Sequence, residues 1–125
     1  MKRIISTPNA PAAIGPYSQA VEYNGTLYVS GQIPINPATG EVCSGDIVAQ
    51  TEQVFGNLNA ILTAAGYGFA NVLKTTVLLA DMNDFAKMNE VYGHYFTAEM
   101  PARAAFQAAK LPKNVGIEIE LIAAK

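Results

Sequence analysis

AVEYNGTLYVS, residues 20–30, reads as a β-hairpin, and the rest of the chain is ordered around it. Val21 and Tyr23 alternate with Glu22 on the first arm, and Leu27 and Val29 alternate with Tyr28 on the second. Between the arms stands Asn24-Gly25, a dipeptide that accepts the two positive φ angles of a type I′ turn. Upstream, KRIIS near the N-terminus is expected to add an edge strand. Downstream, residues 31–45 hold two prolines and three glycines and read mostly as loop.

From Asp46 the apolar period becomes helical. Ile47, Val54, Phe55, Leu58, Ile61, Leu62 and Ala65 recur at helix spacing, with Asp46 placed to cap the start and Gly66 the end. VLKTTVLLA, residues 72–80, is a β-branched apolar run and reads as a well-buried strand. Asp81 to Asn83 offer a cap for a second helix, whose inner stripe is Phe85, Met88, Tyr92, Tyr95 and Phe96, with Pro101 following its end. Residues 103–109, RAAFQAA, read as a strand against the helix preference of alanine. Residues 115–123, VGIEIELIA, alternate cleanly and form the last strand. The order β-ββ-α-β-α-ββ defines an α+β fold, with two helices on one face of a mixed sheet.

The length of 125 residues fits a single domain spanning residues 1–125, long enough for a real core. A hydrophobic fraction of 50% excludes disorder, yet no apolar run reaches the ~18 residues of a membrane span. The apolar stretch in MKRIISTPNAP is too short for a signal peptide, so a cytoplasmic home is expected. A lone Cys43 and a lone His94 leave no internal disulfide and no zinc cage. Eight cationic against ten acidic residues, with no basic cluster, argue against nucleic acid as a partner. Only 14% of residues are charged, where an ordinary soluble domain has roughly 25%. A surface that sparse in charge points to an oligomer whose helix-free sheet face is covered by another subunit.

Few residues offer chemistry. Gly66-Tyr67-Gly68 follows a helix and lacks a third glycine, so it reads as a cap and turn rather than a dinucleotide loop. His94 projects about 180° from Phe85 on the helical wheel and is expected in solvent. Cys43, in the loop with no cation beside it in sequence, reads as an inert small side chain. Asn89 lies about 40° from Phe85, within or beside the apolar stripe, either hydrogen-bonding helix to loop or lining a ligand pocket. Glu118 and Glu120 share one strand face, opposite Ile117, Ile119 and Leu121. That face is either solvated or, under a second subunit, in need of hydrogen-bond donors. The nearby donors are few: Arg103 on the preceding strand, Lys110, Lys113 and hydroxyls from elsewhere. Only Arg103 is held in the middle of the predicted structure, and its planar fork could equally clamp a substrate acid.

Several ordered motifs carry a resemblance over essentially the whole chain. They are GPYSQA at 15–20, SGQIP at 30–34, PAR at 101–103, Leu111-Pro112 and IEIE at 117–120. Together they resemble the YjgF/RidA (reactive intermediate deaminase) family. The resemblance implies a chorismate-mutase-like α+β fold, assembled as a homotrimer with sites in the clefts between subunits. It implies hydrolysis of reactive enamines and imines (2-iminobutanoate, 2-iminopropanoate) to 2-oxo acids and ammonia, with no cofactor and no metal. It implies Arg103 as the carboxylate-binding group and Glu118 as the residue that positions or activates water. Tyr17, Ser30, Gly31, Ile33 and Asn89 match pocket-lining positions. Two departures stand out. Ala105 stands where many bacterial members carry a cysteine, although the family tolerates alanine there. The segment Thr97–Pro101 is shorter than in some relatives, which is expected to reshape the pocket rim.

Two rival readings accompany this one. Endoribonuclease or translation-inhibitor activity is attached to the family name, and the −2 charge opposes general RNA affinity. A small-carboxylate-binding module without catalysis would keep the cleft but has no use for both Arg103 and Glu118.

Overall fold

The computed structural model describes residues 1–125. Strands β1 (Arg3–Ile5), β2 (Ala20–Tyr23) and β3 (Thr26–Gln32) precede helix α1 (Ile47–Ala65). Strand β4 (Val72–Leu79), helix α2 (Phe85–Tyr95), and strands β5 (Ala102–Gln107) and β6 (Ile117–Ala124) follow. All six strands form one sheet in the order β1-β2-β3-β6-β4-β5. Every pairing is antiparallel except β4 with β5. That parallel pair needs a crossover, and α2 supplies it.

The local signals fold as their chemistry dictates. Asn24 (φ 49°) and Gly25 (φ 78°) both take positive φ in the hairpin turn. Asp46 caps α1 by accepting from the Ala49 amide, and Gly66 ends it at φ 85°. Val54, Phe55, Leu58, Ile61 and Leu62 of α1 are fully buried against Leu27, Val77, Ile117 and Ile119 of the sheet. Met88, Val91 and Tyr92 of α2, with Phe96 at its C-cap, complete the core.

Four readings are corrected. Strand β3 does not stop at Ser30: it runs on through Gly31 to Gln32, which pairs with Ile119 across a bulge after Val29. A glycine that looks like a strand breaker is here part of an irregular pairing. Strand β4 is buried on one side only: Thr75, Val77 and Leu79 are fully buried, while Lys74 is exposed and Thr76 and Leu78 are half-buried. Its apolar run reflects one helix-covered face and one bare face. Asp81 caps a short 3-10 turn at 82–84 by accepting from Asn83, and α2 starts after that turn. Arg103 is not next to the glutamate pair, because β4 lies between β5 and β6.

The bare face follows from the register. Ile4, Tyr28 and Ile122 stand on one row, and Phe106, Leu78 and Glu118 on another. Ile4, Tyr23, Tyr28 and Phe106 are each about half exposed there. No helix is long and apolar enough to cross a membrane.

Candidate active site

Two clusters form, on opposite faces of the sheet. The first is a cleft of about 800 Å³ lined by Tyr17, Ser30, Gly31, Ile33, Glu118 and Glu120, among others. Glu118 sits on β6 opposite Leu78, between the fully buried Ile117 and Ile119, so its side chain takes the bare face. Its carboxylate occupies the space that a side chain on Gly31 would fill. A methyl group there would overlap Oε2 and come within 2.9 Å of Cδ. Burial, with a smaller push from the neighbouring Glu120 charge, holds the Glu118 carboxyl above the usual carboxylate range.

Polar ties fix the cleft wall. Ser30 Oγ donates to the Ser18 carbonyl at 2.6 Å, and the Ser30 amide donates to the Gln19 carbonyl. The buried Gln19 side chain accepts from the Thr7 amide at 2.7 Å and donates to the Pro11 carbonyl at 2.8 Å. Asn57, buried on α1, donates to the carbonyls of Ile33 and Ile35 at 3.2 and 2.9 Å. Reading the sequence for chemistry passes over both residues. Asn57 had a signal: an amide three residues after Val54 and four before Ile61 interrupts an apolar stripe and must find partners.

The second cluster is at the β5 edge. Arg103 pairs with the fully buried Thr75 and therefore takes the helix-covered face. Its guanidinium lies 4.6 Å from the Tyr92 ring centroid and 5.4 Å from that of Phe85. Nη1 donates to Asn89 Oδ1 at 2.6 Å. Asn89 is exposed rather than in the stripe, and it bonds to a strand arginine rather than to a loop. Its wheel position is at the stripe's margin. Ala105, two residues on from Arg103, packs against the core and offers no reactive group. His94 is exposed and Cys43 partly buried.

Five of the seven candidates thus share one cleft, while Arg103 and Asn89 stand apart from it on the far face. One protomer cannot bring Arg103 and Glu118 onto one small ligand. A larger carboxylate shift lies elsewhere: hydrogen bonds from Arg3 and Tyr67 hold Glu22 down at about 2. That group ties β2 to the C-terminal end of α1, where Arg3 also donates to the Ala65 carbonyl.

Fold and clusters define an α+β protein with an acid cleft on its bare face and a stacked arginine at its edge. The sequence model of the family described as Endoribonuclease L-PSP matches residues 7–125. A RutC family protein of Pyrococcus horikoshii is 58% identical over 125 residues, covering 100% of this chain and 99% of that protein. The mouse 2-iminobutanoate/2-iminopropanoate deaminase is 54% identical, over 98% of this chain and 91% of its own. Among solved structures, a Yersinia pestis protein of the conserved Rid family superposes with a TM-score of 0.98 at 46% identity, covering 100% of both chains. RidA of a Psychrobacter species gives a TM-score of 0.95 at 47% identity, over 98% of this chain and 99% of that one. The chain belongs to the YjgF/RidA family.

Proposed function

We propose that the protein is a hydrolytic deaminase of short 2-imino acids, converting 2-iminobutanoate and 2-iminopropanoate to 2-oxo acids and ammonia. It works as a homotrimer, with Arg103 of one subunit facing the Glu118 cleft of the next. One observation carries the reading: each protomer holds two complementary half-sites that it cannot itself combine. Glu118 lies unpaired in a cleft on the bare sheet face, and Arg103 is stacked at the sheet edge. The half-exposed apolar side chains of the bare face supply the surface for assembly. The full-length likeness to proteins named 2-iminobutanoate/2-iminopropanoate deaminase supplies the substrate class.

The chemistry balances with these groups alone. The guanidinium holds the substrate carboxylate, which sets the imine carbon against the cleft wall. Glu118 takes a proton from water as the oxygen bonds to that carbon, the C=N electron pair moves to nitrogen, and Glu118 returns the proton there to give the carbinolamine. In its collapse the hydroxyl proton passes by way of Glu118 to the departing nitrogen as the C=O bond forms and the C–N bond breaks, releasing ammonia and leaving the 2-oxo acid. Tyr17, Ser30, Gly31 and Ile33 shape the cleft around the imine, and Asn89 steadies the arginine.

A coupled assay tests the reading: imine is generated enzymatically, this protein is added, and oxo-acid release is timed. Acceleration over the uncatalysed rate is expected, and its absence overturns the deaminase. Light scattering at micromolar concentration should give three times the chain mass; a stable monomer removes the shared site. Arg103→Lys should raise KM about 10- to 100-fold, since losing a charged two-pronged contact costs roughly 1.5–3 kcal/mol. Wild-type KM in that variant sinks the clamp. For the endoribonuclease description, RNA cleavage abolished by Arg103→Ala would count in its favour.

The acid limb of the rate profile should also move. A base with a raised pKa loses its working, ionised form at a higher pH than an ordinary carboxylate would. Glu120→Gln removes one cause of the rise, so the limb should shift to lower pH while turnover at neutral pH stays within a few-fold. A limb that does not respond to Glu120 would assign it to another group.

A further inference from the structure

The geometry points to Tyr92, with Phe85 and Thr75, as positioning residues that fix the plane of the Arg103 guanidinium and reserve its Nε–Nη2 edge for a planar carboxylate. The identity of that carboxylate as a 2-imino acid rests on the deaminase reading above; the platform itself does not.

Arg103 projects from an edge strand and is exposed, a setting in which a long side chain ordinarily samples many rotamers. Here it is bounded on several sides. Tyr92 lies under the guanidinium at 4.6 Å and Phe85 at 5.4 Å. The Tyr92 ring is itself held, because its hydroxyl is 2.7 Å from Thr75 Oγ1. Thr75 is fully buried and is the register partner of Arg103 on the adjacent strand. The path from Arg103 backbone to Thr75 to Tyr92 and back to the guanidinium is therefore closed. Asn89 Oδ1 takes Nη1.

Within the chain, Nε and Nη2 of Arg103 donate to nothing. The contrast with the only other arginine is informative. Arg3 spends its Nε on Glu22 and its Nη2 on the Ala65 carbonyl. The same edge of Arg103 carries two parallel N–H bonds with no acceptor, the spacing that a carboxylate accepts in two-pronged fashion. A stacked, half-bonded arginine is thus preorganised for one ligand geometry.

With two arginines, side-chain nitrogen NMR of the full-length protein shows two Nε signals, and the one absent in Arg103→Lys belongs to Arg103. Slow rotation of its guanidinium is expected in the wild type, and averaged, faster rotation in Tyr92→Leu. The KM for imine should rise about 3- to 30-fold in Tyr92→Leu, the range of a cation–π contact, with kcat held within about three-fold. Tyr92→Phe, which keeps the ring, should restore most of the KM. Affinity for 2-oxobutanoate, measured by calorimetry, should fall in parallel. If Tyr92→Leu disturbs packing, Phe85→Leu carries the same expectation at smaller amplitude. Unchanged rotation and unchanged KM in both leucine variants overturn the platform. If the wild type neither turns over imine nor binds 2-oxobutanoate, the deaminase reading fails, while the rotation measurement still decides the platform.

Discussion

Glu118→Gln is expected to lower turnover about 10²- to 10⁴-fold, the usual range for removing a general acid–base, with fold and assembly intact. Glutamine keeps the shape that fits against Gly31, and it cannot take a proton from water. The stability consequence has a definite sign. A carboxyl whose folded pKa is raised contributes stability that is full at acid pH and lost as pH rises through the folded value. At neutral pH the ionised, desolvated Glu118 is therefore a liability in the folded protomer, and the neutral amide removes it. The melting temperature of Glu118→Gln at pH 7 should equal or exceed that of the wild type. Loss of turnover with undiminished melting temperature marks a group kept for chemistry. Wild-type turnover would transfer the role to backbone groups or another side chain, and a large drop in melting temperature would make Glu118 structural. Glu120→Gln, on an exposed residue, is the matched control.

What the sequence made legible was local. The Asn24-Gly25 turn, the Asp46 and Gly66 caps and the alternation of 117–123 each depend on residues within a few positions of one another. The sharing of a face by Glu118 and Glu120 follows from the period of a strand alone. The relation of Arg103 to Glu118 was not legible, because it depends on long-range pairing. Strand β6, last in sequence, inserts between β3 and β4, and β5 docks outside β4. Period-2 spacing says which residues share a face within one strand, and nothing about which face a different strand presents. The register Thr75 with Arg103, against Leu78 with Glu118, sets the two groups on opposite sides. Asn57 acts on loop carbonyls far away in sequence, and Gln19 on the carbonyls of an irregular segment before it, so only the mismatch of an amide with an apolar stripe hints at Asn57.

Gly31→Ala should be nearly as damaging as removing the carboxylate, although it removes no ionisable group. Gly31 is needed for close approach and not for an unusual φ, since the Glu118 side chain fills the place of its missing Cβ. The added methyl must push the carboxylate away, because Gly31 is held in β3 and Glu118 in the adjacent β6. A displacement on the order of 1 Å at a reacting group costs about 10²-fold in rate, and that loss is the expectation. The two positions should be strongly non-additive. In a Glu118→Gln background the catalytic base is already absent, so adding Gly31→Ala should lower turnover little further. Stability should show the reverse coupling: Gly31→Ala lowers the melting temperature, and Glu118→Ala in the same chain restores part of it by vacating the space. Full activity in Gly31→Ala would mean that the carboxylate has room to relax without consequence, and Glu118 would then act from a position other than the one against Gly31. Additive losses in the double variant would separate the two residues and leave Gly31 a role in the β3 bulge alone.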